Sequence, residues 1–204
     1  MELQNKPHVK GTKALFKNKF MERLTRTHIA IPLVVFSVIS TGLLIYGFQQ
    51  SYITAVSAPL LFIGGLLAFT LVEYVMHRFV FHLNPKNEKQ EKFAYTVHGV
   101  HHDYPKDKDR LAMPIPLSLA LSTAFFFFFK LIMGVNVFAF LPGFLMGYAA
   151  YLWVHYMVHA FQPPKNFWKV LWVHHGIHHY KDPGNAFGVS SPFWDLIFGT
   201  MPKK

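Results

Sequence analysis

The hydrophobic pattern of the chain is blocked rather than periodic. Two unbroken apolar stretches, 29–48 (IAIPLVVFSVISTGLLIYGF) and 52–72 (YITAVSAPLLFIGGLLAFTLV), follow a polar first segment. Each has about 20 residues, the length a helix needs to cross roughly 30 Å of hydrocarbon. Uncharged runs of that length argue against a soluble bundle, whose helices keep a polar outer face. Only Gln49, Gln50 and Ser51 separate the two, so they predict a tight helical hairpin. A second hairpin is predicted over 117–158, turning near Val135–Pro142, where Gly134, Asn136, Pro142 and Gly143 cluster. The pattern therefore predicts an all-α integral membrane protein with four transmembrane helices in two hairpins.

Composition agrees: 52% of the 204 residues are hydrophobic and only 15% are charged. The formal net charge of +10 raises nucleic-acid binding as an option, but the placement of the charge removes it. Of twenty Lys and Arg residues only Lys130 falls inside an apolar stretch, where it is expected to snorkel to the outer interface as an anchor. The rest lie in the arm 1–28, the segment 78–116 and the C-terminal tail, which four spans put on one face. The positive-inside rule makes that face cytoplasmic, in a bacterial inner membrane or the endoplasmic reticulum. The arm (Lys6, Lys10, Lys13, Lys17, Lys19, Arg23, Arg26) is too long and basic for a signal peptide. It is expected to lie against an anionic membrane surface, with its outer half loosely ordered. The absence of cysteine excludes disulfides and thiolate metal sites, so any metal ligands must be nitrogen or oxygen.

The candidate chemistry is histidine. Thirteen are present, and eleven form four clusters: His77 and His82 in "HRFVFH", His98, His101 and His102 in "HGVHH", His155 and His159 in "HYMVH", and His174, His175, His178 and His179 in "HHGIHH". His8 and His28 are read as surface residues. Residues three or four apart share a helix face, which stacks 155 on 159 and gathers 98, 101 and 102. The pair 77/82 would splay by about 140° on an ideal helix, so one site for both requires the helix to distort. "HGVHH" and "HHGIHH" share H-x-x-H-H, and Val97 stands where His174 would match. That alignment selects His175, His178 and His179 and leaves His174 outside, although a 174/178 pair stays open. Gly99 and Gly176 occupy equivalent positions and suggest close packing where the two helices meet. Ten imidazoles exceed the three or four that one zinc ion takes, which suggests two ions. Imidazole suits iron, copper, zinc or nickel alike, so ligand type leaves the metal open.

At these residues the sequence resembles the fatty acid hydroxylase and sterol desaturase superfamily, and within it the fatty acid 2-hydroxylase branch. The likeness rests on "EYVMHRFVFHL" (73–83), "HGVHHDYPKDKDRLAMP" (98–114), "HYMVH" (155–159) and "HHGIHH…FGVSSPFWDLIFGT" (174–200), and covers roughly residues 70–200. It implies a non-haem di-iron monooxygenase domain over 29–204, following the basic arm 1–28. Its metal ligands would be His77, His82, His98, His101, His102, His155, His159, His175, His178 and His179, in a cytoplasmic helical cap. The implied reaction hydroxylates carbon 2 of a long acyl chain, often that of a sphingolipid, with O2 as co-substrate and two iron ions as cofactor. Zinc is able to replace iron during expression. Relatives that carry a cytochrome b5-like domain have far more sequence ahead of the first span than the arm 1–28. Electrons are therefore expected from a separate cytochrome b5-like or ferredoxin-like protein.

Apart from the ligands, Glu73 stands one turn before His77 and is a candidate to orient that imidazole, and Asp195 is a candidate to do so for a distal ligand. Asp103–Pro114 is a candidate headgroup lid or a solvated loop. The phenylalanine run 125–129 reads as packing or lipid-facing surface. The alternative readings are another oxidase of the superfamily (desaturase, carotenoid or sterol hydroxylase) and a membrane zinc amidohydrolase. No H-E-x-x-H motif supports the latter. Histidines gathered on one face also argue against a transporter, whose sites lie near the bilayer midplane.

Overall fold

A computed structural model describes residues 7–8 and 11–202; Lys6 and Lys10 of the arm and the terminal Lys203 and Lys204 lie outside the described residues. The described chain is all helical. A short helix α1 (Lys19–Leu24) precedes α2 (Ala30–Gln49) and α3 (Ser57–Val75). Then come α4 (Glu88–Ala94) and α5 (Val100–Asp103), followed by α6 (Ile115–Met133) and α7 (Val137–Ala160). The C-terminal part holds α8 (Lys169–Tyr180) and α9 (Phe193–Phe198).

Three helical segments are long and apolar enough to cross a bilayer: Ala30–Gln49, Ser57–Phe81 and Lys108–Ala160. The third apolar segment is continuous only in name. A single 3-10 turn, Gly134–Asn136, reverses the chain inside it, with Gly134 at φ +58°, where a side chain would be strained. Phe126 then meets Phe138 at 5.8 Å and Phe125 meets Phe144 at 4.9 Å, so α6 and α7 fold back on each other. The expected turn at Val135–Pro142 is shorter and earlier than its composition suggested. Pro142 is inside α7, where the Ser40 hydroxyl donates to its carbonyl at 3.3 Å.

The core is the crossing of α3 with α7. A Cβ at Gly143 would lie 1.9 Å from the Phe62 carbonyl oxygen, and one at Gly65 would lie 2.0 Å from that of Phe140. Only glycine lets these two backbones touch, the small-residue packing typical of helices in lipid. Phe36, Phe69, Phe144 and Leu145 fill the space around the crossing. This contact brings the C-terminal ends of α3 and α7, and hence His77 and His155, to one place. By contrast α6 packs on α7 and stands away from α3, leaving an apolar cleft between them lined by Phe69, Val72, Leu121, Phe125 and Tyr148.

The inner half of the arm is tied to the body of the protein, while most of the outer half expected to be loosely ordered lies outside the described residues. Glu22 of α1 accepts the amides of Leu15 and Phe16 and pairs with the buried Arg110, which also pairs with Asp107 at 3.3 Å. Segment 103–114 is a solvated loop only in part: Lys106, Lys108 and Asp109 are exposed, whereas Arg110, Leu111 and Ala112 are buried. The phenylalanine run divides its work, with Phe125, Phe126 and Phe129 packed on α7 and Phe127 and Phe128 exposed.

Candidate metal centre

The first requirement is that His77 and His82 share a side of their helix. Beyond Val75, α3 continues as a π-helical turn, Met76–Phe81, and the His82 amide donates to the His77 carbonyl at 3.1 Å. An i→i+5 bond makes five residues about one turn, which removes the splay an α-helix would impose. A second π-helical turn, Tyr95–Gly99, carries His98 into α5 with His101 and His102. His155 and His159 sit one turn apart at the end of α7, and α8 supplies His175, His178 and His179.

These ten side chains fall into two groups of five. His77, His82, His98, His102 and His178 form one; His101, His155, His159, His175 and His179 form the other, and in each group one ring nitrogen per residue lies within 4.8 Å of the rest. Each triplet straddles both groups, the i,i+4 pairs 98/102 and 175/179 going to opposite sides. The groups abut, with the rings of His102 and His179 stacked at 4.2 Å.

Nε2 atoms point inward. In the first group His98 Nε2 lies 3.0 Å from that of His77 and 3.1 Å from that of His102. In the second, His155 Nε2 lies 3.1 Å from that of His101, and His159 Nε2 lies 2.8 Å from that of His175. The buried Nε2 atoms of His82 and His178, and both nitrogens of His179, have no hydrogen-bond partner among the described residues. Burial, and then the neighbouring imidazoles, hold His98, His101, His102, His175 and His179 well below the usual histidine range, and His82 is lowered to about 3. Ten imidazoles converging on two points fit a pair of cations, because the Nε2 atoms of His82 and His178 and both nitrogens of His179 have no other partner among the described residues.

Outer contacts set the tautomer in the first group. His77 Nδ1 donates to the Phe187 carbonyl and His178 Nδ1 to the Asn185 carbonyl at 2.8 Å, leaving Nε2 of each as the free acceptor. Glu73 does not reach His77. Its buried carboxylate accepts the amides of Val189 at 2.8 Å and Ser190 at 2.9 Å, and the Ser190 hydroxyl. Asp195 likewise touches none of the ten; it accepts from His174 Nε2 at 2.9 Å and from the amides of Phe187 at 2.9 Å and Gly188 at 2.8 Å. Burial would raise the Asp195 carboxyl, but the bonds from His174, Thr200, Gly188 and Phe187 outweigh it and hold it below the usual range. Both carboxylates therefore grip the loop 185–190, and the loop's carbonyls orient the imidazoles. Sequence reasoning missed that loop because a backbone carbonyl leaves no mark in residue type. His174 lies outside both groups. Gly176 does not mediate close packing: a Cβ there would meet nothing within 4 Å.

A cavity of about 350 Å³ reaches His98, His101 and His155 and is roofed by Phe16, Met21 and Leu24 of the arm and α1. It shares Phe81, Met113, Tyr148 and Tyr151 with the cleft between α3 and α6, which encloses about 200 Å³. Tyr151 stacks on His155 at 5.5 Å, so apolar wall leads directly to imidazole.

The model of the fatty acid hydroxylase family matches residues 62–200. The chain is 34% identical over 189 residues to dihydroceramide fatty acyl 2-hydroxylase FAH2 of Arabidopsis thaliana, covering 92% of this chain and 79% of that one. It is 38% identical over 198 residues to ceramide very long chain fatty acid hydroxylase scs7 of Schizosaccharomyces pombe, covering 93% and 55%. Among solved structures, that of full-length scs7p, of which only the hydroxylase domain is visible, superimposes with a TM-score of 0.86 at 33% identity, over 95% of this chain and 74% of that one.

Proposed function

The chain belongs to the fatty acid hydroxylase family, and from that premise we propose that it is a membrane di-iron monooxygenase hydroxylating carbon 2 of a sphingolipid acyl chain. The observation that carries this reading is the pair of five-imidazole groups at the inner end of an apolar cleft that opens between α3 and α6. The names of the relatives, acyl 2-hydroxylases of dihydroceramide and ceramide, supply the position and the lipid class.

Helices α2, α3, α6 and α7 are the four spans, in two hairpins, and the basic segments place the histidines on the cytoplasmic face. His77, His82, His98, His102 and His178 hold one iron, and His101, His155, His159, His175 and His179 hold the other. Two irons bound there would supply activation of O2 and, with two electrons from a separate cytochrome b5-like or ferredoxin-like protein and two protons from solvent, the conversion of C–H to C–OH, the second oxygen atom leaving as water.

The chain's own residues do the rest. The acyl tail lies along Phe69, Val72, Phe125 and Tyr148, entering sideways from the bilayer where α6 stands off α3. Tyr151, at the junction of the two cavities and stacked on His155, brings the carbons next to the carbonyl against the imidazoles. The headgroup end occupies the second cavity, under α1, which excludes water from the reacting carbon. The Phe187 and Asn185 carbonyls keep the protons of His77 and His178 on Nδ1, so both Nε2 lone pairs face inward.

Expression in a heterologous host followed by lipid mass spectrometry tests the reading. Acyl chains gain one oxygen at carbon 2, drawn from labelled O2 and not from labelled water, and the gain disappears in His178→Ala. Deacylated lipid with no oxygen gain, or label arriving from water, overturns it.

A further inference from the structure

We infer that α9 is an in-plane anchor seated in lipid at the inner edge of the bilayer, its outer face packed against the boundary between acyl chains and headgroups. This rests on the membrane-spanning reading of α2 and α3 and on neither the metal nor the substrate.

One stripe of α3 is bare over its first turns. Leu60, Ile63 and Leu67, spaced three and four apart, are 68%, 54% and 58% exposed, the face a spanning helix shows to lipid. The same stripe continues through Thr70 and Tyr74, and there it is covered. Trp194 Nε1 donates to the Thr70 hydroxyl at 3.0 Å, and Phe198 stacks on Tyr74 at 5.2 Å, leaving Tyr74 1% exposed. On the last two turns of the lipid-facing stripe, α9 stands where lipid stands higher up.

Its depth follows from the neighbouring helices. Phe69, next to Thr70, meets Tyr151 at 6.1 Å, and Leu152 packs on Ile29, the residue just before α2 begins. Thr70 and α9 are therefore level with the inner end of α2, within a turn of the hydrocarbon edge.

The outer face of α9 matches that depth. Phe193, Leu196 and Ile197 are 54%, 70% and 54% exposed, and none is charged. The one ionised group, Asp195, is fully buried and turned inward to His174. Six residues span about 9 Å, too short to cross a membrane and suited to lying within its interface. The helix that carries the Asp195 grip on the loop 185–190 is thus itself held by the bilayer.

Because the chain contains no cysteine, single-cysteine variants read this directly. Leu196→Cys, with Ile63→Cys as a mid-bilayer reference and Lys89→Cys as an aqueous one, is labelled with bimane and reconstituted in phosphatidylcholine vesicles. Lipid with its nitroxide on the acyl chain near the headgroup is expected to quench residue 196 more strongly than residue 63, and iodide quenching to fall several-fold below that at residue 89. Behaviour like residue 89 overturns the inference. So does cross-linking of two Leu196→Cys chains with loss of lipid quenching, which would assign the face to a second copy. Leu196 is 70% exposed, so the substitution is expected to leave the thermal transition unchanged, which serves as the folding control. None of these readouts depends on hydroxylation, so a wrong substrate or metal would leave them unmoved.

Discussion

The two groups of five histidines use the same donor atom but are held in different ways. In the first, His77 and His178 are fixed by carbonyls of a loop, and that loop hangs from two carboxylates on separate helices. In the second, the buried Nδ1 atoms of His101 and His175 have no such partner among the described residues, and orientation comes from the packing of α5, α7 and α8. A loop-held imidazole depends on every bond that holds the loop, whereas a helix-held one depends on the fold as a whole. The first site should therefore fail separately and the second only together with the core.

Removing a donor from either group is expected to have the largest effect and to treat them alike. His178→Ala and His159→Ala should each reduce hydroxylated lipid below detection, with metal analysis showing loss of bound iron or zinc. Slackening the loop should separate them. Glu73→Gln and Asp195→Asn are expected to weaken metal binding at the first group by about 10- to 100-fold while the second keeps its ion. Titration with a chelator would show this as loss of one equivalent before the other; simultaneous loss of both would remove the proposed difference.

Acid should strike both groups alike. A histidine lowered in the folded protein, such as His82 at about 3 against 6.5 when unfolded, leaves the unfolded chain binding the extra proton throughout that window. Stability of metal-free protein is therefore present above pH 6.5 and falls as pH drops toward 3, by up to about 1.4 kcal/mol per pH unit for each such residue. His101, His175 and His179 of the second group are shifted in the same direction by burial. Thermal melts of chelator-treated protein at pH 7 and pH 5 should show a large drop, and bound metal should oppose it. The smallest effect is expected at Gly176→Ala. A methyl group there meets open space, and helix propensity favours alanine by up to about 1 kcal/mol, so melting and activity should be unchanged or slightly raised.

Much of this arrangement was legible in residue order. Apolar length announced the membrane helices, and the i,i+4 spacings 98/102, 155/159 and 175/179 announced pairs that stay together, but the remaining histidine of each triplet, His101 and His178, goes to the opposite group. The pair 77/82 was not legible, because its geometry rests on a π-helical turn that no residue type signals. Glu73 and Asp195 stood out as charged residues near histidines, but the partners of Glu73, Val189 and Ser190, lie far along the chain, and those of Asp195 are backbone amides of an irregular loop that no spacing rule reads.

What the sequence determined by itself is what depends on local chemistry: uncharged runs too long for a soluble helix, and a store of imidazole with no thiol to compete. Which histidine belongs to which group was decided only by the tertiary structure. Gly65 and Gly143 let α3 and α7 touch backbone to backbone, and that contact fixes where the ends of the two helices meet. Donor type is carried by each residue alone, whereas convergence of ten nitrogens on two points depends on how separate helices cross.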